Sequence, residues 1–117
     1  MRLVLSILVA AAAAALAGPA LAAPPGPPTV TLILKDHHFS PSAFNVPAGQ
    51  KIKVVLINQD TATEEFDSHD LRVEELVTPG GRTSFNIGPL KPGTYHFMGE
   101  FHSQTAQGLV TAVPGAP

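Results

Sequence analysis

In the segment Gly93-Thr94-Tyr95-His96-Phe97-Met98-Gly99-Glu100-Phe101-His102, aromatic or small residues alternate with polar ones directly after the turn residues Lys91-Pro92-Gly93. Successive side chains on a strand face opposite sides. Tyr95, Phe97, Gly99 and Phe101 therefore read as one face, mostly core, with Phe101 as a core or site-covering residue. His96, Met98, Glu100 and His102 read as the other face if the strand runs straight, an unusual row of metal donors. Tyr95, coming off a Pro-Gly turn, fits a tyrosine corner, in which the phenol bonds back to the turn, and is assigned to stability.

Comparable β-branched and aromatic runs recur at 29–35, 43–46, 51–58, 71–76, 83–87 and 108–112. Pro47-Ala48-Gly49 and Pro79-Gly80-Gly81 supply further turns between them. No stretch sustains the three-and-four spacing of a long amphipathic helix. Roughly seven strands at this spacing predict an all-β domain, a Greek-key sandwich.

The amino terminus reads differently. Arg2 precedes an apolar, alanine-rich run over 3–17, and Pro19-Ala20-Leu21-Ala22 offers a small-x-small cleavage site. Residues 1–22 are thus expected to be a cleavable signal peptide, 23–28 a proline-rich leader, 29–113 the domain and 114–117 a tail. This implies a periplasmic or secreted protein whose mature form does not span a membrane. The net charge of −2 and the lack of a basic stripe argue against nucleic acid as a partner. No nucleophile elbow, phosphate loop or dinucleotide fingerprint is present, so no enzyme is expected. Cysteine is absent, so a metal site must draw on carboxylate, imidazole, thioether or backbone oxygen.

Three segments together resemble the cupredoxin family. Phe39-Ser40-Pro41-Ser42-Ala43-Phe44-Asn45-Val46-Pro47-Ala48-Gly49 is similar to the family's F-x-P-x-x-h-x-V-x-x-G, where h is apolar. Ile52 to Asp60 is similar to the strand ending in N-x-D that leads to the first histidine ligand. Gly93 to His102, followed by Ala106-Gln107-Gly108-Leu109-Val110, is similar to G-x-Y-x-F-x-C, a ligand loop and M-x-G-x-L.

The departures bear on the chemistry. A blue-copper centre needs a thiolate and two imidazoles with a weak axial thioether. Aligned without gaps, Gly99 stands in the thiolate's place, Ala106 in the axial methionine's and Glu64 in the first histidine's, which leaves His102 as the family ligand retained. Glu64-Glu65-Phe66-Asp67-Ser68-His69 with Gly99-Glu100-Phe101-His102 resembles a cysteine-lacking subgroup, the cupredoxin domain of EfeO-type periplasmic iron-uptake proteins. That resemblance implies a bound copper or iron ion and, as partner, a high-affinity iron permease or other inner-membrane transporter.

The expected site combines Glu65, Glu100 and His102, with Asp67 and His69 nearby and His96 and Met98 as further donors on the row. Glu65, Asp67 and His69 share one side of an extended segment, and Glu64, Phe66 and Ser68 the other. The gap-free alignment points to Glu64 and a one-residue shift to Glu65; Glu65 is preferred, with Glu64 and Asp67 as alternates. His37 and His38 close the first strand as the makings of a second, weaker site. The competing reading is a metal-free module that docks on a membrane transporter or another exported protein.

Overall fold

The computed structural model describes residues 26–115. The expected signal peptide, the first part of the leader and the end of the tail lie outside the described residues. Nine strands and one short 3-10 turn form two sheets: β1 (Thr29–Lys35), β2 (His38–Ser40), β3 (Ala43–Pro47), β4 (Ile52–Asn58), β5 (Glu64–Ser68), β6 (Val73–Val77), β7 (Arg82–Ile87), β8 (Gly93–Gly99), the turn Glu100–His102, and β9 (Gln107–Val113). One sheet runs β2-β1-β4-β7 and the other β3-β9-β8-β5-β6. β1 lies parallel to β4 and β3 parallel to β9, while the other pairings are antiparallel.

The all-β sandwich is therefore as expected, with two strands added. The expected run 51–58 becomes β4, in which Ile52, Val54, Leu56 and Asn58 all turn inward. On β5 the same alternation buries Glu64, Phe66 and Ser68. β2 is too short for its periodicity to register, and β5 carries too many charges to read as a strand by composition.

Between the sheets, Phe66 stacks on Phe97 at 4.9 Å between centroids, and Phe39 meets the Phe97 ring edge-on at 5.1 Å. Gly108 permits this packing: a Cβ there would lie 2.0 Å from the Phe97 ring. Tyr95 donates its hydroxyl to the Lys91 carbonyl at 2.7 Å, which is the corner contact the sequence suggests.

Two local devices shape one end of the sandwich. The β1–β2 hairpin turns through Asp36 and His37, both in the left-handed region at φ 50° and 59°, the backbone of a tight two-residue hairpin loop. β8 ends at Gly99, whose N–H donates to the Ala106 carbonyl, and the chain then coils through Glu100–His102. The coil breaks the alternation, so the row His96, Met98, Glu100, His102 does not continue along one face. His96 is exposed and Met98 half-buried on β8, whereas His102 is carried to the other side. Phe101, expected as core or cover, is 52% exposed because the same coil swings it out.

Candidate metal centre

Asn58 fixes the loop between β4 and β5: its amide donates to the carbonyls of Ala62, Val77 and Thr78, and its oxygen accepts the Asp60 N–H. The chain thus enters β5 with Glu64 pointing into the sandwich, fully buried. A buried carboxylate is costly unless hydrogen-bonded or paired. Oε1 of Glu64 accepts the N–H groups of Phe101 at 2.9 Å and Glu65 at 3.1 Å. Oε2 lies 2.5 Å from Nδ1 of His102.

Gly99 and Ala106 make room for this carboxylate. A Cβ on Gly99 would stand 2.7 Å from Cδ of Glu64 and 2.8 Å from Cβ of Ala106. The carboxyl group of Glu64 therefore occupies space that any side chain at 99 would need.

The His102 ring stacks on His37, with centroids 3.7 Å apart and planes inclined by 13°. One candidate ligand atom from each of His37, Glu64 and His102 falls within 4.8 Å of the others. Asp60 supports the hairpin that carries His37: its Oδ1 accepts the Asp36 N–H at 2.6 Å and its Oδ2 the His37 N–H at 3.0 Å. Partial burial alone would raise the Asp60 carboxyl, but those two backbone donors and the nearby His37 and His102 hold it below the usual carboxylate range.

The sequence-derived site divides between two faces. Glu64, the alternate, meets His102, whereas the preferred Glu65 faces away; its place on a strand beside buried Phe66 requires this. Ligand atoms of Glu65, Asp67 and Glu74 also lie within 4.8 Å of one another, on the outer surface of β5 and β6. Glu100 sides with that group: its protonated carboxyl donates a hydrogen bond to Asp67, and this bond together with the negative charge there raises its carboxyl. His69 lies in the turn past β5, lining a shallow depression with Asp67, Asp70 and Arg72. Met98 pairs across the sheet with Asp67 and so belongs to the outer surface, as does His96, whose N–H is held by Asp70. Glu65, Glu100, Asp67, His69, Met98 and His96 thus do not join His102.

His37 was legible only as half of a His-His pair closing a strand. No local signal ties it to this centre, because the side chain that holds its hairpin is Asp60, in the separate N-x-D segment.

The donor set suits a metal of the first transition row. Imidazole and carboxylate serve Cu(II), Fe and Zn alike, and without cysteine in the chain a blue, thiolate-bound copper centre is not available. Glu64 comes from β5 and His102 from the turn after β8, the backbone N–H groups of Glu65 and Phe101 hold the carboxylate, and the neighbouring His37 brings a second imidazole within reach.

Residues 5–112 match the family model of the cupredoxin-like domain. An uncharacterized protein of Rickettsia prowazekii (strain Madrid E) is 43% identical over 81 residues, covering 69% of this chain and 65% of that protein, so the match spans a little under two thirds of its length. Auracyanin A, a "blue" copper protein of Chloroflexus aurantiacus, superposes with a TM-score of 0.65 at 15% identity, over 75% of this chain and 100% of that one. The metal-binding domain of the Cu(I)-exporting P-type ATPase CopA of Streptococcus pneumoniae D39, solved with Cu(I), gives 0.63 at 11% identity, over 73% and 84%. At these identities the solved structures share the fold.

Proposed function

The chain belongs to the cupredoxin-like domain family, and from that premise we propose that it is an exported metal-binding protein with a non-blue centre built on Glu64 and His102. It takes up a divalent copper or iron ion and holds or relays it in connection with metal uptake, without catalysing a reaction. The observation that carries this reading is the fully buried Glu64 carboxylate, set against the imidazole that the family pattern retains. A carboxylate in that position serves no packing purpose that an apolar side chain would not serve better.

Copper is the first ion to test. The fold relatives include copper-binding domains, and Cu(II) tops the affinity order for nitrogen and oxygen sites. Iron is the alternative cargo, suggested by the likeness of Glu64 to His69 and Gly99 to His102 to iron-uptake domains. Export fits the apolar run over residues 3–17, which lies outside the described residues, and delivery to an inner-membrane transporter draws on the same likeness to iron-uptake domains.

The test is calorimetric and thermal titration of the metal-free protein with Cu(II), and with Fe(II) under anaerobic conditions. One equivalent should bind and raise the Tm, as a ligand specific to the folded state must. Glu64→Gln and His102→Ala should each remove most of that rise, while Glu65→Gln should leave it. The metal-free docking module draws on a single observation, that Glu64 and His102 already satisfy each other. It requires no rise with any of these ions.

A further inference from the structure

We propose that His37 is a third ligand of the Glu64–His102 centre, which makes the site a two-imidazole, one-carboxylate set delivered by β5 and two separate turns. This rests on the metal-binding reading above and extends it to a residue outside the family's ligand segments.

Three observations converge on His37. Its Nδ1 is sealed from solvent and has no hydrogen-bond partner, the one such side-chain atom found among the described residues. Buried polar atoms are almost always satisfied, so an orphan at the edge of a donor cluster marks a place where something else binds. Asp60, the nearest acceptor, stands 3.5 Å from that nitrogen, beyond good hydrogen-bond length.

The second observation is backbone cost. His37 adopts φ 59° in a hairpin loop where glycine or asparagine would sit with less strain. Asp60 holds this conformation by accepting both backbone N–H groups of the turn. Strain maintained by a dedicated side chain is the usual mark of a residue positioned for use.

The third is proximity. The turn lays the His37 ring flat against His102 at 3.7 Å and brings a donor atom within 4.8 Å of both Glu64 and His102. Asp60 positions this ring through the backbone of its turn and not through a bond to the ring. The chemistry that would be recognised is a divalent first-row cation that accepts mixed nitrogen and oxygen donors, Cu(II) before Zn(II).

The experiment compares wild type with His37→Phe, which keeps a flat ring for the stack and removes both nitrogens. Electron paramagnetic resonance of the Cu(II)-loaded proteins should show coupling to two imidazole nitrogens in wild type and one in the variant. Affinity should fall by about tenfold or more. If His37→Phe does not fold, nitrogen NMR of wild type loaded with Zn(II) gives the same answer, since a ring nitrogen of His37 should move with that of His102. An unchanged nitrogen count and affinity in the variant, or an unmoved His37 resonance, overturns the third ligand and leaves the Glu64–His102 reading standing. Absence of binding in wild type overturns both.

Discussion

Glu64 and Gly99 form a compensating pair, and their fit follows from size. The carboxylate is held at three points, by two backbone N–H groups and an imidazole, so it cannot yield to a methyl group placed 2.7 Å from its Cδ. Gly99→Ala should therefore destabilise the fold by about 1–3 kcal/mol, the usual cost of overpacking, and weaken Cu(II) binding with it. Urea denaturation and metal titration of one sample check both. Backbone freedom is not the reason for the glycine here, since Gly99 has an ordinary φ of −85°. Glu100 tests the other face. Its raised carboxyl means that its contribution to stability is favourable below the ordinary carboxylate value and is lost as pH rises through the raised one. Glu100→Gln should thus melt higher than wild type at pH 7, with the difference vanishing below about pH 4. Melting curves at the two pH values decide it, and an equal difference at both would show that charge repulsion is not the cause.

At the scale of elements, what could be read from the sequence depended on whether alternation survived to the residue in question. β1 was legible at its full length, and β4 within a residue, because their apolar positions repeat every second residue. β5 was legible as a face: once Phe66 is core, Glu64 and Ser68 must be inside and Glu65 and Asp67 outside. Glu65 lies on the outer face because the one-residue shift that favours it runs against that periodicity. His102 was read on the row of His96 and Met98, since nothing in Gly99-Glu100-Phe101 announces a 3-10 turn that rotates the following side chain. His37 was out of reach for a longer-range reason. Its hairpin is set by Asp60, 23 positions away, and no local pattern encodes that contact. Asp60→Ala removes both acceptors and should cost about 1–2 kcal/mol, with faster amide exchange confined to the β1–β2 turn. Chemical denaturation and hydrogen exchange measure the two effects.

For the whole molecule, the division of labour is between a frame and an end. The aromatic centre around Phe97 and the corner at Tyr95 hold the two sheets together, and the donors cluster where β8 finishes. Tyr95 lies four residues before Gly99 on an extended strand, on the order of 13 Å from the centre. Tyr95→Phe should accordingly cost about 1 kcal/mol of stability through the lost bond to Lys91, yet leave Cu(II) affinity unchanged. Fold and site are separable in this chain, since the aromatic centre and the Tyr95 corner use none of the donor residues. The most direct measurement is a crystal of the protein soaked in Cu(II) and read by anomalous scattering. A single strong peak within bonding distance of the Glu64 carboxylate and the His102 ring is the expected result. A peak on the Glu65, Asp67 and Glu74 surface alone, or none at all, would contradict the account.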